Sequence, residues 1–293
     1  MPASATKDDV ASLEAGLDAL ETPVSVEARY SPTKVLRTLI PPMSAILLLL
    51  IVWTAVYAAH LQPSYLLPSP VDVWHSFQES LGDGVVFKVV ANSLRRAFVG
   101  FAISLVIGTL LGLLMAKVKF VRQAIGPLVT GLQILPSVAW VPAAILWFGI
   151  SNEAMLFVVI LGATPSIANG LLSGIDQIPT LYPKVGQMLG ARGIDSIRFV
   201  VLPASLPGYI AGLRQGWAFA WRSLMAAELI AFSPLLGIGL GQYLNQGREL
   251  TDMPRVILSI ILILFVGILI ELCFFAPIER RVLRQRGLLG AKG

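Results

Sequence analysis

The sequence predicts an all-α integral membrane protein with six transmembrane helices, and three observations carry that expectation. Of 293 residues, 56% are hydrophobic and only 13% charged, about half the charged share of a soluble domain. Six apolar runs, at 40–59, 97–116, 124–150, 154–175, 206–232 and 256–275, are long enough for a helix to cross a hydrocarbon layer of about 30 Å. Basic residues gather between alternate runs, as they do on cytoplasmic loops.

A tail of mixed composition, 1–33, precedes the first run and carries Asp8, Asp9, Glu14, Glu21 and Glu27. A cleavable leader would place its apolar core nearer the start, so the first span is expected to stay. After it, Pro63, Pro68 and Pro70 interrupt any helix. Val71, Val73, Trp74 and Phe77 then recur at roughly helical spacing, as in an amphipathic stretch lying at the interface. In the second run Gly108 and Gly112 form a small-xxx-small face that lets backbones approach. The third holds Pro127, Pro136 and Pro142, with Gln133, Ser137 and Trp140 around the middle proline. Two readings fit it: a broken helix lining a cavity, where exposed backbone is tolerated, or a kinked helix packed by its neighbours.

Orientation follows from the charges. With the N-terminus inside, the inner flanks hold Lys34, Arg37, Lys117, Lys119, Arg122, Lys184, Arg192, Arg198, Arg280, Arg281, Arg284 and Arg286, twelve in all. The outer flanks hold five: Lys88, Arg95, Arg96, Arg248 and Arg255. Both termini are therefore expected in the cytoplasm, with a basic tail at 280–293 whose arginines mark the inner face rather than a nucleic-acid surface. Cys273 is the only cysteine, which excludes a disulfide within one chain. His60 and His75 lie near a membrane boundary without a carboxylate pattern, and no metal site is expected.

Between the fourth and fifth runs the chain turns polar. Pro179 and Pro183 precede, and Pro203 and Pro207 follow, a stretch with Lys184, Arg192, Asp195 and Arg198. Gly190 and Gly193 should break it into two short helices. Held on the cytoplasmic face by rigid prolines, such a segment suits a lever. The string "GQMLGARGIDSIRFVVLPASLP" resembles the cytoplasmic coupling loop of ABC importer permeases. Leu202 and Pro203 fall on that pattern's terminal Leu-Pro, Gly190 on its glycine and Val200 on its isoleucine. Lys184, Val185 and Gly186 stand where the pattern has Glu-Ala-Ala, so a salt bridge from its first position is not expected. "LLPSPVDVWHSF", "NSLRRAFVGFAISLVIGTLLGLLMA", "LQILPSVAWVPAAILWFGI" and "WRSLMAAEL" are each similar to permeases that import nitrate, taurine, alkanesulfonates or bicarbonate.

The resemblance implies a type I importer permease domain over 34–279, with a coupling loop at 176–205 that contains Lys184, Gly190, Arg192, Gly193, Asp195, Leu202 and Pro203. It implies a second permease copy, two ABC ATPase subunits, an extracytoplasmic binding protein or lipoprotein, and a place in the bacterial cytoplasmic (inner) membrane. ATP and Mg would sit on the ATPase. No Gly is followed by Lys anywhere in this chain, so it lacks a phosphate-cradling loop and is expected to be a transport subunit and not an enzyme.

Charge in the fifth run points to the path. A charged side chain in mid-membrane costs about 2.5–3.5 kcal/mol on insertion scales and normally faces an interior, a partner or water. Arg214 is within snorkelling reach of the inner end; Arg222 is near the middle. Arg222, with Trp221, Glu228, Gln133 and Trp140, is expected to line a translocation path, its guanidinium suited to an oxyanion. The alternative is an ion pair of Arg222 with Glu228 or Glu271. Phe232-Ser233-Pro234 and the glycines after them suit an outer gate or plain loop chemistry. A small oxyanion, foremost an aliphatic sulfonate or related sulfur anion, is the expected cargo. Nitrate, bicarbonate, taurine or an uncharged vitamin precursor are the alternatives, and a secondary transporter working without ATP is the remote one.

Overall fold

The computed structural model describes residues 32–60, 63, 65–231 and 237–286, with side chains from residue 40 onward. Most of the N-terminal tail and Phe232-Ser233-Pro234 lie outside the described residues. The chain divides into two units, Met1–Trp53 and Thr54–Gly293. The described part of the first belongs to the helix α1, Pro32–Ala58, whose last residues fall in the second, and this helix supplies a candidate span at Ile40–Ala58.

The second unit consists of helices joined by turns and short irregular segments, with no strand among its described residues. Its elements are α2 (Pro70–Gly82), α3 (Val85–Lys117), α4 (Lys119–Ile134), a 3-10 turn (Ser137–Trp140), α5 (Val141–Phe148) and α6 (Asn152–Asp176). Then come α7 (Leu181–Met188), the short α8 (Ile194–Ser196), a π turn (Ile197–Val201), α9 (Leu202–Ile230), α10 (Leu240–Glu249) and α11 (Met253–Ile270). A second π turn (Glu271–Phe275) leads into α12 (Ala276–Gln285). Among the described residues of the chain, five helical stretches, Ile40–Ala58 included, are long and apolar enough to cross a membrane, or six if the bent pair around Pro136 is one span.

That third span is broken, not merely kinked: Lys119–Ile134 and Ser137–Phe148 meet at 98°. The cause is local. Pro136 has no N–H to continue the ladder and disfavours helical backbone at Leu135, which takes φ −66° and ψ 125°. Pro127 is accommodated inside α4, and Pro142 opens α5.

Two span limits differ from the apolar runs. Helix α3 starts at Val85, twelve residues before the run at 97, so Arg95 and Arg96 are helical and not in a flank. The fifth span starts at Ile194, passing through the π turn into α9, so the polar segment is helical over its last third. A run of apolar residues marks where hydrocarbon must be, not where backbone hydrogen bonding stops.

Helix α6 is the centre of the unit, packed between α3 and α9, with Val158, Val159, Ile167 and Leu171 fully buried. Lipid tails are as apolar as leucine, so packing at small residues drives helix association here. Gly108 and Gly112 of α3 meet Ile167 and the Ala168 carbonyl of α6. On the other side Gly170 and Gly174 of α6 face Gly212 and Gly208 of α9. A Cβ on Gly170 would lie 2.3 Å from the Gly212 Cα, and one on Gly208 2.6 Å from the Gly174 Cα. Trp217 then joins three elements, its ring 5.0 Å from Phe98, 5.4 Å from Phe101 and 6.1 Å from Phe275.

The prolines before α2 do not prevent that helix, because Pro70 occupies its first turn, where a missing N–H costs nothing. Ser69 and Asp72 form a reciprocal capping box: the Asp72 N–H donates to Ser69 Oγ at 3.1 Å, and the Ser69 N–H to Asp72 Oδ2 at 2.9 Å. The Ser69 hydroxyl, then its backbone N–H, hold the Asp72 carboxyl below the usual carboxylate range. A lowered folded pKa gives stability that is present above the unfolded value and lost as pH falls through the folded one. Ser69→Ala should cost about 1 kcal/mol at neutral pH, and the difference in thermal midpoint from the parent should shrink below about pH 4.

Candidate functional site

The polar segment keeps the form its glycines predict. Helix α7 ends in a six-to-one bond, the Ala191 N–H donating to the Gly186 carbonyl at 2.9 Å, with Gly190 at φ 89° in the position that favours glycine. Gly193 at φ 57° then starts the next helix. Lys184, Arg192 and Asp195 are exposed around this turn, and Leu202 and Pro203 begin α9. Gly186 packs on Val200; a Cβ there would meet Val200 Cγ2 at 2.7 Å. Thus α7 rests on the π turn that leads directly into the span.

Both ends of the segment are fastened. Arg122 of α4 donates twice to Asp176, at 2.9 and 2.6 Å, where α6 ends. Arg286, at the C-terminal cap of α12, donates to the carbonyls of Pro203 and Ala204 where α9 begins. Met188, Leu189 and Ile194 stand about four-fifths exposed between these anchors. The segment presents an apolar knuckle in a charged setting, a form suited to docking in a partner's groove.

The expected path residues separate into two groups. Gln133 and Ser137 flank the break at Pro136 and tie it inward: Asn169 of α6 donates to Gln133 at 2.8 Å, and Ser137 shares a 2.6 Å hydrogen bond with Ser223 of α9. Trp140 closes the 3-10 turn, half-buried. Trp221 is buried, stacked at 18° on Trp217 and donating to the Ile263 carbonyl at 3.3 Å. Arg222 is exposed; its Nε donates to its own helix at the Ala218 carbonyl, 3.2 Å away, and its guanidinium lies 5.1 Å from the Phe219 ring centre. Trp221, Arg222, Gly267 and Ile268 share a cavity of about 590 Å³ between α9 and α11.

Glu228 belongs elsewhere. It is fully buried and pairs with Arg96 Nη1 at 2.8 Å, so it does not face an open conduit within this chain, and its ion-pair partner is not Arg222. Ser93 donates to it at 2.7 Å and the Gly241 N–H at 3.0 Å, while the Leu240 N–H donates to Ser93. The carboxylate thus sits at the N-terminus of α10, where the exposed amides and the helix dipole favour negative charge. Arg96 also donates to Asn152 Oδ1 at 2.9 Å and to the Gly237 carbonyl at 2.8 Å. Glu271, the other acid considered for Arg222, pairs with Arg214, which also holds Glu279 at 2.9 Å.

Arg96 is the residue the sequence reading missed. In the sequence it adjoins Arg95 at the edge of an apolar run, like a boundary charge, and a buried partner 132 residues away leaves no periodic trace. One signal was available. Gly237, Gly239 and Gly241 alternate shortly after Glu228, and a Cβ on Gly239 or Gly241 would strike that side chain, at 2.3 and 2.7 Å. These glycines clear room for a buried carboxylate.

Residues 108–284 match the family described as the inner membrane component of binding-protein-dependent transport systems. An ABC transporter permease protein of Methanocaldococcus jannaschii is 33% identical over 67% of this chain and 73% of its own. The taurine transport system permease of Escherichia coli is 28% identical over 82% of this chain and 87% of its own. Other relatives, at 28–31% identity, bear names that speak of aliphatic sulfonates, nitrate and bicarbonate. A solved structure of the MetNI methionine ABC transporter in an inward-facing conformation shares the fold, with a TM-score of 0.56 at 21% identity over 67% of this chain and 95% of that one. The family match runs from the small-residue face of α3 to the arginines of α12 and takes in the polar segment and the charged fifth span, so this chain belongs to the inner membrane components of binding-protein-dependent ABC transport systems.

Proposed function

We propose that this chain is the membrane-spanning subunit of an ATP-driven importer that carries a small oxyanion, foremost an aliphatic sulfonate or related sulfur anion, into the bacterial cytoplasm. It works as one of two permease copies with two ABC ATPase subunits, which hold ATP and Mg, and an extracytoplasmic binding protein. The polar segment lies in the cytoplasm, where closure of the ATPases presses on 184–198. The push passes through the π turn into α9 without an intervening loop and turns the path outward to receive cargo; hydrolysis resets it.

The observation that carries this reading is Arg222. It is exposed within the 29-residue helix α9, and among the described residues no carboxylate partners it, since Glu228 is taken by Arg96 and Glu271 by Arg214. A fixed guanidinium offers paired donors to a passing oxyanion, and the cargoes in the relatives' names include sulfonate, taurine, nitrate and bicarbonate. Side-chain contact with a charged group contributes about 1.5–3 kcal/mol. Arg222→Ala should therefore slow ATP-driven uptake of the preferred anion about tenfold or more in proteoliposomes, with the ATPase still co-purifying. Arg222→Lys should fall between, keeping the charge without the planar fork. A panel of ethanesulfonate, taurine, nitrate and bicarbonate identifies the cargo, and uptake at the parent rate in the alanine variant refutes the path role.

A further inference from the structure

The stretch from the second π turn through α12 to Arg286 has two faces with different fates. One is fastened to α9: Glu271 and Glu279 to Arg214, and Arg286 to the start of α9. On the other, Leu272, Ala276, Arg280 and Arg284 follow at intervals of four, with Pro277 and Arg281 beside them. Together these line a cavity of about 510 Å³. Among the described residues no carboxylate pairs with Arg280, Arg281 or Arg284, and all three are exposed. Arg214 is neutralised and Arg286 engaged within a few residues of these three, while among the described residues none of the three has a carboxylate partner.

The walls of the cavity change character along the helix axis. Leu272, Ala276 and Pro277 close it on the apolar side, and above them Leu269 and Phe265 continue the same exposed stripe through the span Met253–Gln285. Hydrocarbon thus gives way to three guanidiniums within a few turns of one helix. A soluble anion would have no use for the stripe, and an acidic protein surface none for the recess. The geometry points to an anionic phospholipid bound at this corner, its phosphodiester between Arg280, Arg281 and Arg284 and an acyl chain along Leu272, Leu269 and Phe265. Guanidinium forks match phosphate oxygens, and basic recesses at the inner ends of transmembrane helices take such headgroups. The lipid would stiffen the helix that clasps the entry to α9.

The test uses the full chain in nanodiscs of phosphatidylcholine with one-fifth phosphatidylglycerol, with phosphatidylglycerol retained per chain counted by native mass spectrometry after transfer to detergent. The triple change Arg280→Gln, Arg281→Gln, Arg284→Gln should lower retention at least fivefold. A charge-matched triple, Lys117→Gln, Lys119→Gln, Arg198→Gln, should leave it within twofold of the parent. Should the first triple fail to fold, Arg280→Gln and Arg284→Gln singly must each reduce retention. Equal loss in both triples means a general surface charge and overturns the site. Displacement of the lipid by millimolar inorganic phosphate means a soluble-anion site and overturns the lipid assignment. Unchanged retention with lost ATPase co-purification means a protein-docking surface and overturns it too.

Discussion

Arg96→Met should be among the most damaging single changes in the protein, costing about 3–5 kcal/mol of stability, because it leaves the fully buried Glu228 without its counter-charge. Three elements lose a common anchor at once: α3, which carries Arg96; α9, which carries Glu228; and the turn at Gly237 that Arg96 holds through its carbonyl. Glu228→Gln should cost a similar amount by stranding Arg96. The double variant Arg96→Met, Glu228→Gln should recover more than half of the loss, since the glutamine carbonyl can still accept from Ser93 and the Gly241 N–H while no net charge is buried. Unfolding midpoints of the four proteins in one detergent check this. Additive losses in the double variant would show that the two side chains do not act as a pair.

Gly170→Ala should destabilise the chain by about 3 kcal/mol, although it adds a single methyl group. The new Cβ would lie 2.3 Å from the Gly212 Cα, which is backbone and cannot swing aside, so α6 and α9 must separate. Gly212→Ala should do the same from the opposite side, its Cβ meeting the Gly170 Cα at 2.6 Å. Helices in lipid associate through this close fit, so the lost contact is not replaced by burial elsewhere. Gly126→Ala and Gly131→Ala are the matched controls. They lie on α4 with open space at the Cβ and should be neutral or slightly stabilising, as alanine is in a helix. The comparison requires only thermal midpoints, and equal midpoints for Gly170→Ala and Gly131→Ala would contradict the crossing.

Much of the fold was legible because its causes are local or periodic. Hydrophobic runs found the spans, Pro136 located the break, and Gly190 with Gly193 split the polar segment. Gly108 and Gly112 announced one helix crossing. The second crossing, Gly170 and Gly174 against Gly208 and Gly212, has the same spacing on both helices, but spacing alone does not say which helices meet. The site was legible in part. Arg222 stood out as a charge inside an apolar run, and the structure leaves it exposed; where Glu228 pairs was hidden, because charge partners are chosen in three dimensions. The helix limits were misread where buried or continuing backbone extends past the hydrocarbon signal, at Val85 and at Ile194.

The Arg96–Glu228 pair also sets a problem of timing during biosynthesis. The two residues are 132 positions apart, so at about 5–20 residues per second the ribosome needs about 7–26 s to deliver the acid after the base. For that interval the Arg96 guanidinium waits for its counter-charge, in the insertion machinery or at the water boundary, with Asn152 reaching it first. The buried charge of α3 is therefore neutralised only once the fifth span emerges, so this part of the core is completed late.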